Sequence, residues 1–265
     1  MAKIKKTLIS LGIYLGLQIT VIIPFAIVAA ARNQNYLDIV APALLIADAA
    51  VILVLWAIKY YKFKELVKSV PPRVLLLSLV LGFATFYAID ILSIPFNLPD
   101  IMGDTFAAMT KSFTGLLVIC IVGPVMEEIL MRRIILTEIS EATGKKWIGI
   151  IVSAAIFSII HGNPIQMFFA MPAGILLGWL YCRTGSLLVP ICVHIMNNTV
   201  SFITMKFGDN DSTMEFSDKW TMVQLVLCLV VAVALIIWMV TYYSRLQSDS
   251  STGEPVESIG TGNQD

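Results

Sequence analysis

The uncharged run Ser112–Met126 passes directly into Glu127-Glu128-Ile129-Leu130-Met131-Arg132-Arg133. A bilayer crossing takes roughly 20 apolar residues as a helix, so this run is too short to cross on its own. The apolar pattern resumes after Arg133 and persists to about Glu141. One helix, from about Ser112 to Glu141, therefore carries the acidic pair inside the membrane. Ionisable groups at that depth are costly, and they mark polar cavities or reaction sites.

The composition agrees with a membrane-embedded chain. Hydrophobic residues make up 58% of the sequence and charged residues 14%, against about 45–50% and about 25% in soluble domains. The excess is lipid-facing surface. The formal net charge is zero, which gives no footing for nucleic acid. Cys120, Cys182, Cys192 and Cys228 all lie in apolar segments, at spacings that fit neither a metal site nor a disulfide framework, and read as small buried hydrophobes. The first apolar run, Thr7–Ala31, follows a basic N-terminus. It is longer than a signal-peptide core, so it reads as a retained first transmembrane helix.

Uncharged or nearly uncharged segments recur at about 7–30, 39–58, 74–94, 112–141, 147–161, 165–181, 186–207 and 220–243. The fold expected is all-α: a polytopic membrane protein of about eight transmembrane helices. Cytoplasmic loops are enriched in Lys and Arg. With the N-terminus inside, 14 of the 18 Lys and Arg fall on the cytoplasmic side; Arg32, Lys111, Lys206 and Lys219 fall outside. Both termini are thus expected in the cytoplasm. Residues 1–245 form one membrane domain, and the Ser-, Gly- and acid-rich stretch 246–265 reads as a disordered cytoplasmic tail. No inverted repeat of the transporter kind is evident.

Three polar groupings stand out against this background. Glu127 and Glu128 are adjacent and point about 100° apart on a helix. Arg132 follows Glu128 by four residues and shares its face, at the spacing that suits a Glu–Arg pair. That leaves Glu127 to face a cavity, where a carboxylate withdrawn from water is a stronger base, as general-base catalysis near neutral pH requires. Phe157 and His161 share a face at the end of the fifth segment, before the break Gly162-Asn163-Pro164. His194 and Asn198 share a face in the seventh, with Asn197 about 100° away. The chain's only two histidines are in these groupings. Measured from the Gly144-Lys145-Lys146 turn, Glu127 and His161 reach similar depth. Asp48 and Asp90 are further intramembrane carboxylates, open to a role on substrate or along a water path and equally to a neutral structural role.

Glu-Glu-x-x-x-Arg at 127–132, Phe-x-x-x-His at 157–161 and His-x-x-x-Asn at 194–198, in that order, resemble the signature motifs of the CAAX protease and bacteriocin-processing family. Gly174-Ile175-Leu176-Leu177-Gly178-Trp179 and Thr184-Gly185-Ser186-Leu187 are also similar to it, so the resemblance covers about 115–200. The family includes type II CAAX prenyl proteases and bacterial relatives in bacteriocin maturation or self-immunity. The resemblance implies an eight-helix intramembrane endopeptidase acting on a peptide or membrane protein within the lipid bilayer. It implies catalytic roles for Glu127, Glu128, His161, His194 and Asn198: Glu127 activates water, aided by His161, while His194 and Asn198 stabilise the oxyanion. Arg132 and Phe157 would support them. No tightly bound cofactor is expected; a zinc, if present, would use Glu127, His161 and His194.

Other classes remain open on the sequence alone. A non-catalytic scaffold or immunity protein would keep the same fold. A b-type haem protein would use His161 and His194 as axial ligands and leave the acidic pair without a role. A transporter would use Glu127 as a proton carrier. The charge bias itself makes a prediction: reporter fusions after Lys6 and after Arg245 are both expected to be cytoplasmic. A C-terminal reporter on the opposite side would mean an odd number of crossings and break the assignment of the segments that carry the motifs.

Overall fold

The computed structural model of the chain describes residues 4–66, 68–208 and 215–252. Among them there are helices and connecting turns and no strand. The main helices are α1 (Lys5–Ala31), α2 (Tyr36–Ala57), α3 (Pro72–Ser93), α4 (Gly103–Met109), α5 (Phe113–Thr143), α6 (Lys146–Ile160), α7 (Pro164–Thr184), α8 (Leu188–Phe207) and α9 (Lys219–Thr252). Seven are long and apolar enough to cross a membrane: all but the short α4 and the 15-residue α6. The protein is an all-α, multi-pass membrane protein. Helical backbone in α9 continues to Thr252, beyond the start of the tail expected at 246. Gln247 is a good helix former, and backbone bonding needs no apolar side chain to propagate. The rest of that tail, 253–265, lies outside the described residues.

The helix ends follow local chemistry. Asn35 caps α2 by accepting from the Leu37 N–H. Pro72 and Pro164 stand in the first turns of α3 and α7, where a missing N–H costs nothing. Gly144 and Gly185 close α5 and α7 at φ of 69° and 62°, in the left-handed region where glycine has no penalty. α6 and α7 pack as an antiparallel hairpin around the His161-Gly162-Asn163 turn. At 1.5 Å per residue α6 is about 22 Å long, short of a hydrocarbon core of about 30 Å. Protein groups satisfy its turn: the His161 and Gly162 N–H groups bond the Ser158 and Ile159 carbonyls, and the buried Asn163 side chain accepts from the Ile101 N–H at 3.1 Å and donates to Asp100 Oδ1 at 2.8 Å. Non-helical backbone at membrane depth needs such partners.

α5 is the central helix, packed against α1, α2, α6 and α8. One apolar cluster, including Leu55, Ile129, Leu130, Ile135 and Phe157, joins α2, α5 and α6. A second, including Leu81, Leu177, Leu180, Val193 and Met239, joins α3, α7, α8 and α9. α5 is not uniformly α-helical. Val118–Val122 and Ile129–Leu136 have π spacing, a distortion that concentrates at functional sites. In the first of these the Gly123 N–H bonds the Val118 carbonyl, five residues back. The next donor in that register would be Pro124, which has no N–H. The carbonyl left over is that of Ile119, and the Asn198 side chain on α8 donates to it at 2.9 Å. In the second, the Arg132 carbonyl accepts from Thr137 Oγ1 at 3.0 Å.

The C-terminal end of α5 anchors α1. The largely buried Glu138 carboxylate accepts from the backbone N–H groups of Lys6 and Thr7 and from Thr7 Oγ1. First-turn N–H groups have no partner within their own helix, and a negative charge there is favoured. Glu138→Ala is expected to lower the thermal midpoint in detergent, by a loss of about 1–2 kcal/mol, the upper scale for removing a cap. Glu138→Gln should fall between the two. A midpoint unmoved by the alanine would show that α1 is held by packing alone.

Candidate active site

Glu128 and Arg132, one turn apart on α5, are both fully buried, with Arg132 Nε 3.0 Å from Glu128 Oε2. Two charges so withdrawn from water persist only when paired. The guanidinium also lies over the ring of Phe157, its central carbon 5.0 Å from the ring centroid. Its two terminal nitrogens have no hydrogen-bond acceptor among the described residues, so the face of Phe157 is their neighbouring negative surface.

Glu128 has a second partner. Its Oε1 lies 2.9 Å from Nδ1 of His194 on α8, and His194 Nε2 lies 3.5 Å from Glu127 Oε2. A carboxylate paired with arginine only accepts, so Nδ1 of His194 carries a proton and donates. A neutral imidazole then has a lone pair at Nε2, facing another carboxylate oxygen. One proton shared between Glu127 and His194 Nε2 resolves that contact. Arg132, Glu128, His194 and Glu127 form one chain of charge and hydrogen bonding.

His161, at the end of α6, donates from Nδ1 to the Phe157 carbonyl at 2.7 Å, because a carbonyl can only accept. Its neutral form therefore also keeps the lone pair at Nε2. The Phe157 ring stands edge-on to both imidazoles, with centroids 4.7 Å from His161 and 5.8 Å from His194. Phe157 thus fixes three of the polar side chains at once, not His161 alone. Asn198 is held by its bond to the Ile119 carbonyl and accepts from Asn197 Nδ2 at 3.2 Å.

A cavity of about 450 Å³ opens among α2, α3, α5, α6, α7 and α8. Glu127, His161, His194 and Asn198 line it; Glu128 and Arg132 do not. Asn197 lines it too, although its helical angle alone points it away from Asn198: the cavity is wide enough to take in both faces. Asp48 and Asp90, unassigned by any motif, are also in the wall. Asp48 is 5% exposed and accepts from Gln18 on α1 at 2.7 Å through Oδ1. The signal for both was a carboxylate in an apolar helix, and their place in the wall needed three dimensions. Among the described residues no three His, Cys, Asp or Glu side chains converge to hold a metal ion, so Glu127, His161 and His194 are not arranged as a ligand set. Both ring nitrogens of His194 face carboxylates, which leaves none for a haem iron. The four cysteines are free.

The fold and site together define a multi-pass helical membrane protein with a buried Glu–Arg–His network beside a largely apolar cavity that also carries carboxylates and amides. Residues 109–200, the segment that carries all three motifs, match the family Type II CAAX prenyl endopeptidase Rce1-like. The chain is also 38% identical over 84 residues to "Putative membrane peptidase YdiL" of Bacillus subtilis (strain 168). That alignment covers 32% of this chain and 34% of the relative, so the similarity spans about a third of either protein. No solved structure matches. The family resembled by the motifs is the family found over this segment.

The network predicts a particular pattern of damage. Glu128→Gln or Arg132→Met alone strands a buried charge, at a cost on the order of 3–5 kcal/mol. Each should reduce the folded yield sharply. The double variant should recover much of the loss, measured as monodisperse protein in detergent. Additive damage in the double variant would mean that the two side chains act independently.

Proposed function

We propose that the chain is an intramembrane endopeptidase that hydrolyses a peptide bond of a membrane-associated protein or peptide, with Glu127 as the base. The observation that carries this is the placement of Glu127: it opens on the cavity while its neighbour Glu128 is locked to Arg132 and His194. The match of residues 109–200 to a prenyl endopeptidase family, and the similarity to a protein whose name denotes a membrane peptidase, support the same reading.

Water held against Glu127 and Nε2 of His161 loses a proton to Glu127, and its oxygen attacks the scissile carbonyl. The carbonyl becomes a tetrahedral oxyanion. Asn198 has a second amide hydrogen beyond the one given to Ile119, and with a protonated His194 Nε2 it supplies donors for that charge. As the C–N bond breaks, the proton shared by Glu127 and His194 passes to the leaving nitrogen. Glu128, held by Arg132, keeps the Nδ1 proton of His194, so that a proton at Nε2 makes the ring an imidazolium paired with a carboxylate. The reaction runs without a bound metal in this proposal, on the support that the donors are not arranged as a ligand set. A prenylated chain end, a leader peptide and a membrane-protein segment are the substrate forms that fit a site at this depth.

Glu127→Gln is expected to fold normally and lose turnover. Purified wild type should hold no stoichiometric metal, and a chelator should leave its activity in place. Wild-type turnover in Glu127→Gln would remove the base assignment. One zinc per chain, lost together with activity in His161→Ala, would replace the metal-free mechanism with metal-assisted hydrolysis.

A further inference from the structure

The cavity wall carries four side-chain amides, Gln18, Gln166, Asn197 and Asn198. They are not equivalent. Gln18 donates to Asp48 Oδ1 at 2.7 Å, and its Oε1 is sealed off by neighbouring protein atoms. Gln166 has no hydrogen bond among the described residues to fix its amide. Asn198 gives one amide hydrogen to the Ile119 carbonyl, and its Oδ1 accepts from Asn197 Nδ2 at 3.2 Å. That contact is the one side-chain hydrogen bond of Asn197 among the described residues. A carbonyl only accepts, so Ile119 fixes which end of the Asn198 amide is which, and Asn198 in turn fixes that of Asn197. Asn197 is thus oriented, yet its Oδ1 and its second amide hydrogen stay unpaired among the described residues, on a side chain in the cavity wall.

A polar group without a partner is costly away from water, and a fixed amide is matched by a ligand that offers the same donor and acceptor in reverse. An extended peptide does so. In an antiparallel strand pair one residue presents its own N–H and C=O together to the residue opposite. Main-chain bonds of this kind supply affinity in strand-type recognition, and side chains are read elsewhere. The place is set as well. Asn197 Nδ2 lies 3.2 Å from the amide oxygen of Asn198, whose remaining hydrogen is the donor for the scissile carbonyl in the mechanism above. What Asn197 holds therefore flanks the scissile bond.

We propose that Asn197 is a further substrate-binding residue, whose side-chain amide takes the N–H and C=O of one extended residue flanking the scissile bond. This rests on the endopeptidase reading of the same cavity and adds how the chain is held there. Recognition at that residue is by backbone, not by side chain. The contact is made in the ground state and the transition state alike, so its loss raises KM and leaves kcat little changed.

The test uses the full chain in lipid nanodiscs and a set of apolar, internally quenched peptides, each with a free and with an amidated C-terminus. A backbone ester is placed at one peptide unit at a time along each peptide; it keeps the carbonyl and replaces the N–H by oxygen. Binding is measured by fluorescence on Glu127→Gln, so that it does not depend on turnover. Cleavage is measured on the wild type, with the bond cut located by mass spectrometry. One ester beside that bond is expected to weaken binding about tenfold, the upper scale of one buried hydrogen bond. In Glu127→Gln/Asn197→Leu the amide-to-ester ratio at that unit should fall towards one, with the ratios at other units unchanged. Asn197→Ala gives the same measurement if the leucine variant is not monodisperse. Esters without effect at every unit, a response away from the bond cut, or a ratio that survives the loss of Asn197 would each overturn the proposal. A surviving ratio with a lower kcat would show that Asn197 only steadies Asn198. If the ratio is present in binding and lost with Asn197 but no peptide is cleaved by the wild type, the endopeptidase reading fails and the backbone contact stands. Binding of none of the peptides would overturn both.

Discussion

The ion pair between Glu128 and Arg132 is the constraint on which the site depends. Both side chains are fully withdrawn from solvent, where an unpaired charge is very costly. Once Glu128 is fixed by Arg132, its other oxygen can only accept, and it takes the Nδ1 proton of His194. That sets the tautomer of His194 and aims Nε2 at Glu127. An ion pair on one helix thereby dictates the protonation of a histidine on another and the setting of the carboxylate that faces the cavity. Phe157 closes the arrangement from α6, meeting the guanidinium with its face and both imidazoles at edge-on angles.

A second constraint originates in a single proline. Pro124 falls where the π register of Val118–Val122 calls for an N–H to the Ile119 carbonyl. The orphaned acceptor would be expensive within a bilayer. Asn198 answers it from α8 and is thereby pinned one turn beyond His194, with its remaining amide hydrogen uncommitted among the described residues. The positions of His194 and Asn198 relative to Glu127 are therefore fixed through α5 twice, once by charge and once by a missing hydrogen.

The fold class and the groupings of polar residues were legible in the sequence because both depend on local facts. Apolar run length separates the helices, and the four-residue spacing puts Glu128 with Arg132, Phe157 with His161 and His194 with Asn198. The π segments of α5 were not legible, since nothing in Ile129–Leu136 distinguishes them from an α-helix by composition. Nor was the bond between Glu128 and His194, which joins residues 66 apart in sequence. Asp48 and Asp90 could be singled out as acids in apolar helices. Their common cavity is a property of how α2 and α3 pack around α5 and α8, and that depends on interhelix contacts that no single helix pattern encodes. Asn197 was set aside by helical angle, which describes a direction but not the width of the space it points into.

The early end of α6 completes the chemistry. A helix leaves its last carbonyls without intrahelical donors. Because α6 stops at Ile160, the His161 N–H turns to the Ser158 carbonyl, and the carbonyl of Phe157 is left to the imidazole of His161. Had the helix continued, the backbone N–H of residue 161 would occupy that acceptor in the regular four-residue pattern. The His161 ring would then have to share that acceptor with a backbone donor. Gly162, at φ of 62°, makes the stop affordable in backbone terms, and Pro164 starts the return helix two residues later. Both histidines consequently have Nδ1 held, one by a helix end and one by a buried carboxylate. Both side chains line the cavity with Nδ1 already committed.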